Sequence, residues 1–324
     1  MKLTKTDEIV ASTRVFSRTI SLGSGNDEVY SVGAGGIGEV CTALDHRKKG
    51  LAKQLLLNAI DAMTASPEME CSLLHASPAL TSVYERSADY QAVDSLWSVI
   101  PIDLDGIEKC SSSSFSVGVL PKRFNVRLAS FPNDSVALQK LHQNYSEKRF
   151  AGCIIRSIEY WNEYLANEIG DSLYVLEMDN DGDANENEVG TIVNEKKVVA
   201  WISIRQRTDV RYQLREFGCD RSSVQTLQAL PMLLNGVFSQ GKRSDDARKV
   251  GKQKPLELHI PTEVLKEMQE EGLSENDDWL QWSRNIIEEN DIGWMYRSVG
   301  EMVNVKNIIE STKVPHLIWP SDSF

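Results

Sequence analysis

A glycine-rich run followed by basic residues and a leucine-rich segment, between residues 32 and 61, constrains the fold of this chain most. Three glycines there have the G-x-G-x-x-G spacing of dinucleotide-binding folds: Gly33, Gly35 and Gly38. Residues 47–52 have R-x-x-G-x-A spacing, which is typical of a different phosphate-binding loop. The two interpretations disagree about residues 51–60, because the first requires a strand there and the second requires a helix.

The composition of residues 51–60, LAKQLLLNAI, favours the helix. A dinucleotide fold has an acidic residue at the end of its second strand, about 20 residues after the glycines, and Asp61 satisfies that spacing. The segment is nevertheless rich in Leu, Ala, Lys and Gln, with a single β-branched residue, and its apolar positions recur at helical spacing. We therefore predict a strand at GIGEVCTA, a turn at LDHRKKG and a helix from Gly50. An NAD(P)-binding oxidoreductase that uses the three glycines stays as the alternative, and it predicts a strand over 51–60.

A helix that begins at Gly50 would form an anion site. The free N–H groups of a first helical turn and the positive end of the helix dipole attract phosphate. Glycine at position 50 and the small Ala52 let the backbone approach a ligand closely, and Arg47, Lys48 and Lys49 add positive charge. The competing interpretation is a surface turn whose basic side chains are solvated.

The bulk composition indicates a soluble intracellular protein with two domains. The 324 residues are 41% hydrophobic, and no apolar run approaches the ~20 residues that span a bilayer. Five scattered cysteines without a C-x-x-C pair argue against a disulfide framework and a zinc site. The formal charge of −12 disfavours nucleic-acid binding. We expect a cytoplasmic protein that acts on a small molecule, without a metal, a membrane or a nucleic acid as partner; the sequence does not indicate its oligomeric state.

The order of predicted elements gives an α+β fold. A serine-rich change of composition at 109–116 places a domain boundary there, which gives domains 1–115 and 116–324. The predicted elements of the first domain are strands at 14–20, 28–32 and 71–77 and helices at 50–63 and 78–87. Those of the second are two helices within 135–168, strands at 172–178, 188–204 and PLELHI, and helices at 222–238, 262–271, 277–289 and 304–311.

Two motifs in this order resemble the GNAT superfamily of acyl-CoA-dependent N-acyltransferases. VCTALDHRKKGLAKQLL is similar to the family's pyrophosphate-loop motif, and CSLLHASPALTSVYERSADY resembles the strand and helix that follow it. SADY stands where the family has Gly-Phe, and the part of the core before the loop is shorter than usual. The C-terminal half, ending in HLIWPSDSF, resembles fungal-type lysine N6-acetyltransferases with an extra domain after the core.

The resemblance implies an N-acetyltransferase that uses acetyl-CoA as co-substrate and acts on a primary amine, with lysine as one candidate. It implies that Tyr84 protonates the departing CoA thiolate. It also implies two groups of cofactor-binding residues: the pyrophosphate loop Arg47, Lys48, Lys49, Gly50, Leu51 and Ala52, and the pantetheine strand Val40, Cys41 and Thr42, whose backbone N–H would stabilise the oxyanion. Because the core is shortened, a catalytically inactive GNAT-like binding or regulatory module is the alternative.

The general base and three other features stay open at the level of sequence. Glu39 is a candidate base by position, although a solvent-facing strand carboxylate is the simpler interpretation, and a C-terminal carboxylate is another candidate. His75 lies on a predicted buried strand, which favours a core or cleft-lining role over a catalytic one. Residues 179–190 begin like a calcium loop, but Ala184 and Gly190 occupy positions that need Gly and Glu, so we predict an acidic hairpin loop.

Overall fold

A computed structural model describes most of the chain. The described residues are 1, 8–25, 28–112, 124–179, 196–240, 256–273, 286–299, 304–312 and 314–322. They form two compact units that are interleaved along the chain. Unit 1 comprises Met1–Leu96, Glu147–Ile155 and Asn290–Phe324, and unit 2 comprises Trp97–Ser146 and Arg156–Glu289.

The strands and helices are numbered in chain order. The strands are β1 (Ala11–Gly25), β2 (Glu28–Thr42), β3 (Cys71–His75), β4 (Gln91–Ala92), β5 (Leu96–Ile102), β6 (Phe124–Leu128), β7 (Ala151–Ile154), β8 (Leu173–Asp179), β9 (Lys196–Gln206), β10 (Arg211–Cys219), β11 (Leu256–Pro261), β12 (Ile287–Asn290) and β13 (Trp294–Ser298). The helices are α1 (Leu51–Thr64), α2 (Thr81–Ala88), α3 (Leu104–Ser112), α4 (Ser135–His142), α5 (Ala166–Ile169), α6 (Thr226–Gln240), α7 (Thr262–Glu270) and α8 (Val305–Thr312).

Unit 1 contains a mixed sheet with the strand order β4-β13-β3-β2-β1-β7. Strands β1 and β2 form a long antiparallel hairpin, and β3 returns parallel to β2 after α1. Strand β7, which comes much later in the chain, pairs antiparallel with β1. The edge of β1 that faces away from β2 is therefore paired with a strand from residues 151–154.

Two apolar clusters cover the two faces of this sheet. On one face α1 packs its buried side chains Leu56, Ile60 and Met63 against Ile37 and Leu74. The opposite face packs against the C-terminal residues Ile309 and Ile318. Side chains of consecutive strand residues point to opposite faces, so Leu73 and Leu74 belong to different clusters.

Two glycines on β2 are required by the packing of the α1 face. A Cβ on Gly33 would lie 1.8 Å from the backbone oxygen of Glu68, and one on Gly35 would lie 2.0 Å from the sulfur of Met63. These glycines let α1 and the residues after it approach the sheet closely. Close packing therefore accounts for two of the three glycines in the G-x-G-x-x-G pattern.

Unit 2 has a second mixed sheet with the order β12-β5-β11-β10-β9-β8-β6. The pairs β6–β8, β8–β9 and β9–β10 are antiparallel, and β11 runs parallel to β10 after α6. Strand β5 then pairs antiparallel with β11. The run of hairpin, helix and parallel return strand therefore occurs once in each unit.

The fold class was predicted correctly, and the decisive helix is present. Residues 51–64 form α1, so the strand that the NAD(P) alternative requires over 51–60 is absent and that alternative is wrong. The predicted strands 14–20 and 28–32 are parts of 15-residue strands. The helices predicted at 222–238, 262–271 and 304–311 correspond to α6, α7 and α8.

Two predicted helices were wrong in part. Residues 151–154, inside the pair predicted over 135–168, form β7, because β1 offers an unpaired edge that a local pattern cannot reveal. Residues 287–290, at the end of the helix predicted over 277–289, form β12 at the edge of the second sheet. The predicted acidic loop and calcium-like motif lie outside the described residues beyond Asp179, as does the predicted boundary at 115, which stays a prediction. No helix in the described ranges is long and apolar enough to cross a membrane.

Candidate functional site

The candidate site lies in unit 1 where β2 and β3 separate. The two strands pair from Ala34 and Cys71 to Ile37 and Leu74. Strand β2 continues to Thr42 without a pairing to β3. The divergence coincides with a register shift between β1 and β2 and with a positive φ of 52° at Glu39. Unpaired backbone groups of β2 are thus left beside a gap, where a ligand with amide groups can pair with them.

The loop after β2 leads directly into the N-terminus of α1. Gly50 is the residue before the helix and has φ = 76°, in the left-handed region. Lys48 also has a positive φ, of 60°. A Cβ on Gly50 would meet no atom within 4 Å, so the position is open as well as conformationally special. No acidic residue occupies the first turn of α1, and no side chain caps it, so its free N–H groups face no competing carboxylate there.

A cavity of about 370 Å³ joins the end of β2 to this loop. It is lined by Val40, Cys41, Thr42, His46, Arg47, Lys48, Gly50, Leu51, Ala52 and Lys53. Eight of the nine residues that the resemblance assigned to the co-substrate therefore lie around one cavity. The ninth, Lys49, lies in the same loop with its Nζ 3.4 Å from Nδ1 of His46. His46 and Lys53 are additional lining residues that the sequence motif did not indicate.

Tyr84 lies on α2 and packs against the α1 face of the sheet. Its ring is half-buried and meets the ring of Tyr90 edge to face, with centroids 6.3 Å apart. Burial raises the pKa of the Tyr84 hydroxyl above its ordinary value of 10.0. The phenol therefore keeps its proton throughout the neutral range and is available as a proton donor.

His75 lies at the end of β3, beside the point of divergence, and forms an ion-pair contact with Asp291. The Nε2 atom of His75 lies 3.0 Å from Oδ2 of Asp291 and 3.1 Å from Oδ1. The imidazole also contacts the ring of Trp294, with centroids 4.7 Å apart. Its side chain is 38% exposed, whereas the preceding residues of β3 are buried. The expected core position thus holds a solvent-accessible histidine.

Asp291 is held in its charged form. Burial by itself would raise its pKa, but the hydrogen bond and charge of His75 and the N–H of Gly293 outweigh burial and lower the pKa below its usual range. The pair was invisible in the sequence, since the two residues are 216 positions apart and their contact depends on the pairing of β3 with β13.

His75 and Tyr84 lie on opposite faces of the sheet. Tyr84 packs on the cluster that contains Leu74, and His75 contacts Trp294 of the cluster that contains Leu73. The two residues thus lie on opposite faces of the sheet, and neither is among the residues that line the cavity.

The other predicted candidates have ordinary surroundings or cannot be placed. The side chain of Glu39 is 58% exposed and pairs with Arg14 at 3.2 Å, which agrees with a solvent-facing carboxylate. The C-terminal carboxylate lies outside the described residues, which end at Asp322. Within the described ranges no group of three or more His, Cys, Asp or Glu side chains could hold a metal ion.

Comparisons with known proteins agree with the geometry of the sheet, the loop and α1. The hairpin, the helix that follows it and the diverging parallel strand match the GNAT fold of solved structures. Residues 3–90 match the family model described as "Acetyltransferase (GNAT) domain". No curated protein sequence matches the chain.

Solved structures similar to the chain carry the same class of description. One is a GCN5-related N-acetyltransferase from Kribbella flavida, with 16% identity, a TM-score of 0.53, and 90% of this chain matched to 58% of that one. Another is a conserved protein of unknown function from Enterococcus faecalis V583, described as a probable N-acyltransferase, with 12% identity, a TM-score of 0.52, and 90% of this chain matched to 60% of that one. The chain thus spans about three fifths of the length of these structures, which share its fold.

Proposed function

We propose that the protein is an acetyl-CoA-dependent N-acetyltransferase that acts on a primary amine, with free lysine as the first acceptor to assay. The observation that carries the proposal is the cavity at the end of β2, which unites unpaired strand backbone, a basic loop and the open N-terminus of α1. A pyrophosphate needs donors and positive charge together, and this loop supplies both. Bound acetyl-CoA would supply an acetyl thioester that an amine can attack.

The binding roles follow from position. The backbone of Arg47 to Ala52 holds the pyrophosphate, with Arg47, Lys48 and Lys53 contributing charge around the cavity. The unpaired backbone of Val40 to Thr42 binds the pantetheine arm by strand pairing and offers an N–H to the thioester oxygen. In the free protein the Nε atom of Arg47 donates to the Thr42 carbonyl at 3.3 Å, which holds the start of the loop against the end of the strand.

The chemical roles fall to His75 and Tyr84. An alkylammonium group is not nucleophilic until it loses its proton. His75, oriented by Asp291, takes that proton before the amine nitrogen attacks the acetyl carbon. As the carbon–sulfur bond breaks, Tyr84 gives its proton to the departing sulfur, and its raised pKa ensures that the proton is present. The second proton that the nitrogen loses as the amide forms restores the Tyr84 phenol, and the proton on His75 leaves to solvent. The products are an amide and the free CoA thiol.

Calorimetry with CoA tests the binding half of the proposal. The double variant Arg47→Gln/Gly50→Ala removes a cation and strains the left-handed backbone, and we expect CoA to bind roughly 100-fold more weakly. The matched control is Lys266→Gln/Gly272→Ala in unit 2, where Gly272 has φ = 104° and equally open surroundings. Equal CoA affinity in the two double variants would refute the loop assignment.

Protection of Cys41 is a second, independent test of the same cavity. Cys41 is exposed, whereas Cys71, Cys153 and Cys219 are buried. In a Cys110→Ser background, a thiol reagent should label Cys41 in the folded protein, and saturating acetyl-CoA should slow that labelling at least tenfold by covering the cavity wall. NAD(P)H at the same concentration serves as the control. Labelling that is indifferent to acetyl-CoA would place the co-substrate elsewhere.

The rate of acetyl transfer tests the chemical roles. Replacing Tyr84 by Phe should lower kcat about 10²- to 10⁴-fold with little change in CoA affinity. His75→Gln should also lower kcat strongly, and Asp291→Asn should weaken catalysis less, since it leaves the base in place. If CoA binds and Tyr84→Phe changes nothing, the inactive binding-module alternative is correct.

A further inference from the structure

Three arginines lie close together on one face of unit 2, where β9 and β10 meet their hairpin turn. Arg205 is opposite Gln213 across the two strands, and its Nε donates to the Gln213 side chain at 2.9 Å. Arg207 lies one residue beyond the end of β9, and its charge acts on Arg205. Arg215 lies at an irregularity between Leu214 and Glu216, which turns its side chain toward Glu168 of α5.

Only one of these three arginines forms an ion pair among the described residues. Arg215 pairs with Glu168, but its Nε atom is buried and has no hydrogen-bond partner in the described part of the chain. Arg205 binds the neutral amide of Gln213 and no carboxylate, and exposed Arg207 has no carboxylate within 4 Å among the described residues. Arg211, in contrast, lies between Glu257 and Glu289, at 2.8 and 2.9 Å.

The charge of Arg205 is therefore poorly compensated. Burial is the main effect that lowers its pKa, to about 10, and the neighbouring charges of Arg207 and Arg215 add to it, while Glu168 opposes it. Arginine remains protonated at neutral pH, so the protein keeps like charges together in a half-buried place. Natural proteins rarely leave buried charge unpaired, and a bound anion removes this cost.

We propose that Arg205, Arg207 and Arg215 form a binding site for a small oxyanion, namely the phosphate or carboxylate group of a metabolite. Arg205, on β9, and Arg207, in the turn after it, offer guanidinium N–H groups, and the buried Nε of Arg215 on β10 is a further donor. Planar guanidinium groups bind both kinds of oxyanion through paired hydrogen bonds. This site belongs to unit 2 and is separate from the loop at residues 47–52.

Calorimetry with two probes tests this site, using inorganic phosphate and malonate in chloride buffer. Both titrations are performed in the Arg47→Gln/Gly50→Ala background, so that the loop of unit 1 does not contribute. We expect at least one probe to bind, and the tighter of the two shows whether the natural group is a phosphate or a carboxylate. Arg205→Gln and Arg207→Gln should each weaken binding about tenfold or more, while the control Lys266→Gln should not.

Arg207→Gln keeps the test valid if Arg205→Gln fails to fold, because the Arg207 side chain is exposed. Absence of binding by both probes, or binding that neither substitution of arginine weakens, would overturn the proposal. Neither result would affect CoA binding or acetyl transfer by the unaltered chain, so the failure of this proposal is distinguishable from failure of the proposed function.

Discussion

Units 1 and 2 differ at the N-terminus of the helix that follows the second strand of a hairpin. Each has a hairpin, a helix that follows its second strand, and a return strand parallel to that second strand. In unit 1 the helix α1 begins after a basic loop and has no acidic residue in its first turn. In unit 2 the N–H of Leu227 in the first turn of α6 donates to the carboxylate of Glu271 at 2.7 Å. The N-terminus of α6 therefore already binds a carboxylate of the same chain.

The two units also differ at the end of that second strand, beyond its pairing with the parallel return strand. In unit 1 a cavity opens at the end of β2. In unit 2 the part of β10 beyond its pairing with β11 carries Glu216, which is fully buried and pairs with the fully buried Arg156 at 2.5 Å. Tyr145 nearby donates to Glu267 at 2.9 Å. The loop before α6 also contains Asp220, whose charge would repel a pyrophosphate.

The difference teaches that one topology can leave the start of its helix open or close it with side chains. The N–H groups of a first helical turn need acceptors in either case. In unit 1 no side chain caps them, as the proposed co-substrate site requires, while unit 2 satisfies one of them internally and fills its interior with a charged pair and aromatic rings. Four predictions test this contrast, from the largest expected effect to the smallest.

The buried ion pair of Arg156 and Glu216 in unit 2 should stabilise the fold. Replacing either partner alone, as Arg156→Met or Glu216→Leu, leaves an uncompensated buried charge and should cost about 3–5 kcal/mol of unfolding free energy, measured by denaturant titration. The double variant should recover much of that loss. A double variant no more stable than the single ones would mean that the pair contributes more than charge compensation.

Unit 1 should lose stability in acid through His316. This residue is fully buried beside the Tyr296 hydroxyl, 2.8 Å from Nε2, and burial lowers its pKa from 6.5 to about 4, although Asp291 opposes the shift. The unfolded chain therefore binds a proton more readily, so stability is complete above pH 6.5 and falls by up to about 3 kcal/mol as the pH decreases to about 4. When thermal unfolding is measured at a series of pH values, Tm should fall less steeply toward acid pH in His316→Gln than in the unaltered chain. An equally steep fall in this variant would show that His316 does not cause the loss of stability.

Removing the internal anion of α6 should destabilise unit 2 without creating a second co-substrate site. Glu271→Ala takes away the acceptor of the Leu227 N–H, and we expect a loss of about 1–3 kcal/mol. CoA stoichiometry, measured by calorimetry, should remain one per chain. A stoichiometry of two in this variant would show that Glu271 alone prevents binding in unit 2.

The exposed pair at the bulge of β2 should contribute least. Both side chains, Arg14 at 60% and Glu39 at 58%, are well exposed, so Glu39→Gln should change the unfolding free energy by less than about 1 kcal/mol. Acetyl transfer should likewise keep its kcat, in contrast to His75→Gln. A large loss of kcat in Glu39→Gln would assign the role of base to Glu39 instead of His75.

Local sequence was informative where structure is local. The helix at residues 51–64 and its start after Gly50 were predictable because helix propensity, apolar spacing and the glycine before the helix all act within one segment. The residues around the cavity were predictable for the same reason, since they are nearly continuous in sequence. The partner of His75 and the strand β7 were not, because both depend on pairings between distant segments.

The sequence by itself thus determined that unit 1 has a strand, a basic loop and a helix in this order. Only the tertiary structure decided that α1 keeps its first turn free while α6 receives Glu271, and that His75 meets Asp291. The physical reason is that propensities and caps act over a few residues, whereas an acceptor for a helix end or a partner for a histidine is supplied by whichever distant strand or helix packs beside it.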